Sequence, residues 1–338
     1  MNTLIKLPNF PVSICTQDGE LTDKEIMIDA NIVEGDDGFI RFLPYVDPKL
    51  IYMSQHNSSI GKTWMEHNDE FAKFIYETKK NKIIDVGGGS GNIFNSFSKI
   101  NKDINWTIID LNPPTEKKNL KIIKGLYEPK MINKGDVIIT SHFVEHLFNL
   151  KSFLIDLRER NPEYHIFSLP NFTYYAKNRY CSTLMFEHPN YLAEECLNHI
   201  LEITGWEVID KKYFKEHSIF FKTKPTEPKT SVSNFLIKNE VLDFLDYMVS
   251  RVNSIEKDSK FYVFGAHFPF YYLLSLGIKE EQIIAVIDND VDKQNRRMYG
   301  TNVRVISPNN IPDGSNIFIE MGPYNEEIKE GLINMNFI

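Results

Sequence analysis

The chain has 338 residues, too many for one ordinary domain, and 42% are hydrophobic and 25% charged, which is the composition of a globular protein with real cores. Its net charge of −8, with no basic face, excludes general nucleic-acid binding. The three scattered cysteines, Cys15, Cys181 and Cys196, fit a reducing compartment and form neither a disulfide framework nor a CxxC zinc site.

In chain order, the opening "MNTLIKLPNFPVS" lacks the apolar core of a signal peptide. No later run approaches the roughly 20 apolar residues of a membrane span, so a cytoplasmic protein with no membrane partner is expected. Residues 1–75 read as an irregular region with short strand-like pieces ("EIMIDANIV", "GFIRFLPYV"), closing on an amphipathic helix that carries Trp64, Phe71, Phe74 and Ile75. From "NKIIDVGGGSGNIFNSFSK" onward, strand patterns alternate with helical ones: "WTIIDL", "LKIIKGL", "DVIITSH", "YHIFSLP", then the pair "WEVIDKKYF" and "SIFFKTK". Such alternation predicts an α/β domain over 76–225 with a mostly parallel sheet and one antiparallel strand. "KPTEPKTS" reads as a linker. A second, smaller α/β Rossmann-like domain is predicted over 232–338, from "KFYVFGAH", "PFYYLLSLG" and "QIIAVIDND".

"IIDVGGGSGN" carries the most chemistry. Gly87, Gly89 and Gly91 at alternate positions after a buried strand let the chain turn sharply and bring backbone N–H groups to a ligand at a helix start. The spacing is not the G-x-G-x-x-G that grips a pyrophosphate. Asp85, two residues before Gly87, repels phosphate and suits a cationic ligand such as the amino group of S-adenosylmethionine. Asp110 ends the next strand, where a carboxylate accepts hydrogen bonds from ribose hydroxyls. Ligands of such folds lie at the carboxyl ends of the strands, which brings Leu126, Tyr127 and Ser141 into place to flank an adenine. The plain alternative is a tight turn with no ligand.

This motif set resembles the class I S-adenosylmethionine-dependent methyltransferases. A narrower resemblance joins it: "FVEHLFNLKSFL", "FEHPNYLAEECLNHILEITGWEV" and "EHSIFF" are similar, in that order, to segments of the sugar C-methyltransferases that act on nucleotide-linked ketosugars. "YMSQHNSSIGKTWMEHNDEFAKFI" is similar to the helix that precedes their glycine loop, and "FGAHFPFYYLLSLG" through "RVISP" to their C-terminal domain. The family's four-cysteine zinc module has only Cys15 to match it, so no metal is expected.

The resemblance implies His188 as the base that removes the acceptor proton, Glu187 as its orienting acid and His146 as a second active-site histidine. It implies Tyr52, His56, His67 and Tyr191 as substrate contacts; His142 joins them by its place beside the strand end, within reach of cofactor or substrate. Each has a plain alternative: Glu187 and His188 capping a loop, His146 facing a core, the others packing. Met185 stands where the family has tyrosine, which keeps O-methylation open beside C-methylation. His267, Asp288 and Asp290 of the second α/β unit read as scaffold and turn residues before they read as ligand groups. The expectation is a methyltransferase acting on a nucleotide-activated sugar or related glycan precursor, with C-methylation favoured and O- or N-methylation of a related polysaccharide or secondary-metabolite precursor as the alternative. An inactive scaffold is opposed by the complete glycine and acid set, and a nicotinamide oxidoreductase by the glycine spacing.

Overall fold

The computed structural model describes every residue except 14–15, 23, 48–49, 51–61, 181–183, 231–234, 236, 335–336 and 338. Four strands come first: β1 (Asn2–Pro11), β2 (Thr16–Gln17), β3 (Met27–Glu34) and β4 (Ile40–Leu43). Then follow α1 (Lys62–Tyr76), β5 (Lys82–Val86), α2 (Asn92–Ile100), β6 (Asn105–Asp110), β7 (Leu120–Lys124), β8 (Val137–Ser141), α3 (Leu150–Glu159) and β9 (Tyr164–Pro170). After α4 (Phe172–Lys177) come α5 (Glu194–Thr204), β10 (Trp206–Phe214), β11 (Ser218–Pro225) and α6 (Ile237–Asn253). The chain closes with β12 (Phe261–Phe264), α7 (Phe268–Ser275), β13 (Ile283–Ile287), β14 (Arg297–Met298), β15 (Val305–Ile306), β16 (Ile317–Ile319) and α8 (Asn325–Asn334). No helix of the described residues is long and apolar enough to cross a membrane.

Packing divides the chain into two compact units, each assembled from separated segments: Met1–His56 with Thr173–Tyr191 and Phe235–Ile338, and Asn57–Phe172 with Leu192–Asn234. The second of these is the α/β unit of the glycine loop. Its seven strands run β10-β11-β9-β8-β5-β6-β7, all parallel except β11. The chain leaves β5 in one direction for β6 and β7 and returns on the other side for β8, so a topological switch point opens between β5 and β8. That is where open α/β sheets bind ligands. On one face, Phe71, Phe74 and Ile75 of α1 and Ile93 and Phe97 of α2 close over Ile83, Trp106, Ile139 and Phe220. Burial of one such large side chain stabilises by about 1.5–3 kcal/mol.

The other unit holds the three-stranded antiparallel sheet β1-β3-β4 and the parallel sheet β15-β13-β12-β16. The strand β1 is not apparent in the sequence pattern. A bulge between Leu7 and Phe10, with Asn9 at φ 51°, breaks the two-residue period that announces a strand. Phe10 nonetheless packs edge-on to Tyr272 of α7 at 5.5 Å, which ties the N-terminal sheet to the C-terminal strands within one core.

Candidate active site

Strand β5 reads "KIIDV" and buries every residue after Lys82, as a central parallel strand covered on both faces does. Asp85 is therefore fully buried. Its Oδ2 accepts the Trp106 indole N–H at 3.2 Å, and its Oδ1 has no hydrogen-bond partner. Burial pushes this carboxyl up to about 7, the Trp106 bond pulling against it and the Asp110 charge adding to it. A buried acid with one idle oxygen is costly unless something cationic or donating completes it.

Gly87, Gly89 and Gly91 have φ of 74°, 50° and 78°. These are left-handed values that cost any other residue type about 1–2 kcal/mol. The Gly87 N–H donates to Ile109 O at 2.8 Å, and a side chain on Gly87 would run into the Phe143 ring. The Gly89 N–H donates to Asp110 Oδ2 at 2.9 Å, and the Asn112 N–H donates to Oδ1 at 2.7 Å. A Cβ built on Gly89 meets nothing within 4 Å, so the backbone there faces open space. The loop thus holds the Asp110 carboxylate still, and each of its oxygens keeps a lone pair for a further donor. One turn brings together an acid with an unsatisfied oxygen, an open backbone and a fixed carboxylate. These groups fit a ligand with an ammonium and a ribose diol, as the sequence predicts for S-adenosylmethionine.

The remaining expected cofactor contacts lie in this unit too. Leu126 is 60% exposed. The Tyr127 ring meets Phe153 of α3 edge-on at 5.3 Å; its buried hydroxyl has no partner, and burial beside Asp156 raises its pKa to about 12. Ser141, at the carboxyl end of β8, shares a 3.0 Å hydrogen bond with Ser168.

Beyond Ser141 the chain places three histidines in one cluster. His142 has φ 47°, an uncommon conformation for a residue with a side chain. Its Nε2 lies 2.9 Å from Ser218 Oγ, and the same hydroxyl lies 2.6 Å from His217 Nδ1. His67, fully buried on α1, sets its ring 5.1 Å from that of His142 and 5.8 Å from that of His217. Its Nδ1 pairs with Asn68 Oδ1 at 3.2 Å and its Nε2 has no partner. Trp64 closes the group at 4.7 Å from His142 and 4.8 Å from His217. Burial drives His142 and His217 down to about 3, and holds His67 well below the usual imidazole value. All three are neutral at physiological pH.

Glu145 approaches His142 Nδ1 at 3.2 Å without the alignment of a hydrogen bond, and neither of its oxygens has a partner. Burial pushes Glu145 up to about 7, with His146 opposing. His146 itself ends the short turn Val144–His146 and is partly exposed.

Glu187, His188 and Tyr191 belong to the other unit. There the segment is pinned to β4 by the Phe42 N–H donating to Pro189 O at 3.2 Å and the Tyr191 N–H donating to Ile40 O at 3.0 Å. Glu187 and His188 are buried, and burial raises the Tyr191 phenol well above its ordinary value. Tyr52 and His56 lie outside the described residues. The sequence pattern singles out His67 and His142 but passes over His217 and Ser218. Their one signal was "EHSIFF", which reads as the start of a strand and says nothing of what the strand end faces.

No protein-family model matches the sequence, and no curated protein matches it. Among solved structures the chain is similar to an O-methyltransferase family protein from Burkholderia thailandensis, at 10% identity and TM-score 0.39, over 48% of this chain and 56% of that one. It is similar to mitomycin 7-O-methyltransferase at 12% identity and TM-score 0.39, over 49% and 55% of the two chains. It is also similar to magnesium protoporphyrin IX methyltransferase from Synechocystis, solved with bound SAH, at 12% identity and TM-score 0.38, over 51% and 90%. The first two matches thus span little more than half of the other protein. Likenesses at this level assign no chemistry to this chain.

Proposed function

We propose that the chain is an S-adenosylmethionine-dependent methyltransferase. The observation that carries this reading is the turn after β5, where Gly89 clamps Asp110 beside open space and Asp85 keeps a buried, unpartnered oxygen. The Asp110 carboxylate takes the ribose hydroxyls, the glycine backbone lies along the amino-acid end, and Asp85 supplies the negative charge that answers its ammonium. Leu126, Tyr127 and Ser141 flank the adenine. When bound, this cofactor supplies an electrophilic methyl group, and the protein's tasks are to hold the acceptor in line and to take its proton.

The acceptor is a small molecule, and the resemblance of residues 50–330 to sugar C-methyltransferases favours a nucleotide-linked sugar methylated at carbon. Met185, standing where that family has tyrosine, supports O-methylation as the second reading. Calorimetric titration with SAH and with NAD⁺ tests the cofactor assignment. Micromolar SAH binding with no NAD⁺ heat is the expected result, and the reverse ends the proposal. Mass spectrometry of nucleotide sugars incubated with protein and cofactor then identifies the methylated atom.

A further inference from the structure

We propose that His142, Ser218 and His217 form the proton relay for the methyl acceptor, His142 touching the acceptor and the other two positioning it. The inference rests on the methyltransferase reading and goes beyond it by naming where the acceptor's proton goes. A serine hydroxyl bridging two imidazoles, at 2.9 and 2.6 Å, has few structural uses. One hydroxyl can donate to one ring and accept from the other, so the three groups carry a proton in one direction without any of them moving. In that arrangement the Nε2–H of His142 donates to Ser218, Ser218 donates to His217 Nδ1, and the lone pair of His142 lies on Nδ1, the nitrogen that Glu145 approaches at 3.2 Å.

The location suits the task. His142 follows the last residue of β8, across the switch point from the glycine loop, and the next residue, Phe143, packs on Gly87 itself. His142 is held by its N–H to Ser168 O at 2.9 Å in a left-handed conformation, the kind of local strain that persists at functional sites. Its side chain is 15% exposed, so a ligand reaches it, whereas His67 behind it is sealed. The wall at the back is built to keep the relay uncharged at rest. His67 gives its Nδ1–H to Asn68, leaving a second neutral ring with an unpartnered nitrogen against the pair. Trp64 stands within cation–π range of both relay rings, ready for the imidazolium that forms on proton uptake.

The step balances. As the acceptor's lone pair bonds to the methyl carbon, the carbon–sulfur electron pair stays on sulfur. The acceptor's proton passes to His142 Nδ1, the His142 Nε2 proton to Ser218, and the Ser218 proton to His217 Nδ1. The acceptor class is therefore one that loses a proton on methylation: a hydroxyl, an amine that carries an N–H, or a carbon acid beside a carbonyl. It is not a tertiary amine or a thioether.

Sinefungin, which carries an amine where S-adenosylmethionine carries its transferable methyl, tests the relay without any acceptor. Wild-type protein is expected to bind sinefungin about tenfold or more tightly than SAH, the scale of one charge-assisted hydrogen bond. Ser218→Ala and His217→Gln should erase that preference while SAH affinity stays as in wild type, and Ser218→Thr should restore it. His217 is only half-buried, so His217→Gln serves if Ser218→Ala does not fold. An unchanged sinefungin-to-SAH ratio in folded variants, or no preference in the wild type, overturns the relay. Absence of SAH binding in the wild type instead overturns the cofactor reading.

Discussion

The turn after β5 and the turn after β12 are wired alike. In the first, the Gly87 N–H donates to Ile109 O and a loop N–H donates to Asp110 Oδ2. In the second, the Gly265 N–H donates to Ile287 O at 2.7 Å and the Ala266 N–H donates to Asp288 Oδ2 at 2.8 Å. Even the next contact repeats, Asn112 N–H to Asp110 and Asp290 N–H to Asp288 at 2.9 Å. They part in what surrounds the wiring. Phe143 fills the space above Gly87 as Met321 fills that above Gly265, but the space above Gly89, whose N–H holds Asp110, is open, whereas the Lys293 ammonium comes within 3.4 Å of Asp288. The first turn also has a buried acid two residues before its first glycine, with an idle oxygen; the position matching Asp85 in the second is Val263, which is apolar. A strand, a tight turn and an acid make a stable crossover, and only the vacant backbone and the unsatisfied charge make it a place for a ligand.

The largest expected contrast comes from removing each acid. Asp110→Ala should weaken SAH binding about a hundredfold by calorimetry, the loss of two hydrogen bonds to a charged group, while Asp288→Ala leaves it unchanged. Equal effects would erase the distinction between the turns.

Asp85→Asn comes next. A carboxyl raised from 3.8 to about 7 is protonated in the folded chain while ionised in the unfolded one across that window. The folded state then binds more protons, so stability falls as pH rises from about 4 to 7, by at most about 1.4 kcal/mol per pH unit for one group. Glu145 acts in the same window, and the buried neutral His67, His142 and His217 act in the opposite sense, adding stability as pH rises towards the ordinary imidazole value. Denaturant titrations should therefore show Asp85→Asn gaining stability relative to wild type as pH rises from about 4 to 7, and the variant should bind SAH about tenfold more weakly for want of a charge opposite the ammonium. A wild-type-to-variant difference that stays constant between pH 4 and 7 would contradict the burial of this acid.

Gly265→Ala probes the filled turn. With φ at 94° and Met321 against it, the substitution should cost about 1–3 kcal/mol of stability in urea, without altering SAH affinity. The smallest effect belongs to Leu126→Ala. At 60% exposure it should change stability by less than about 0.5 kcal/mol, and a several-fold loss of SAH affinity would mark it as an adenine contact.

Much of this comparison is legible along the chain, because it depends on neighbours in sequence. Alternating apolar runs announce β5, β6 and β8, glycines at every second position announce a turn that needs left-handed φ, and an acid closing "WTIIDL" announces Asp110. The alternation of strands and helices likewise specifies a mostly parallel sheet with a reversed strand near one edge. Chain-local patterns are blind to pairings across distance. Ser218 reaches His142 from 76 positions away because β11 runs antiparallel to β9 and delivers its first residue to the carboxyl edge of the sheet. Asp85 keeps one idle oxygen because the packing around it supplies a donor, Trp106 of the neighbouring strand, to the other oxygen alone. β1 joins the C-terminal segment through Phe10 and Tyr272, a partnership decided by which apolar faces had no closer cover. Sequence alone determined the strands of the glycine-loop unit, the turn and its acid. Tertiary structure decided which buried groups found partners and which were left facing an open site, since burial and satisfaction are properties of the packed chain and not of any stretch of it.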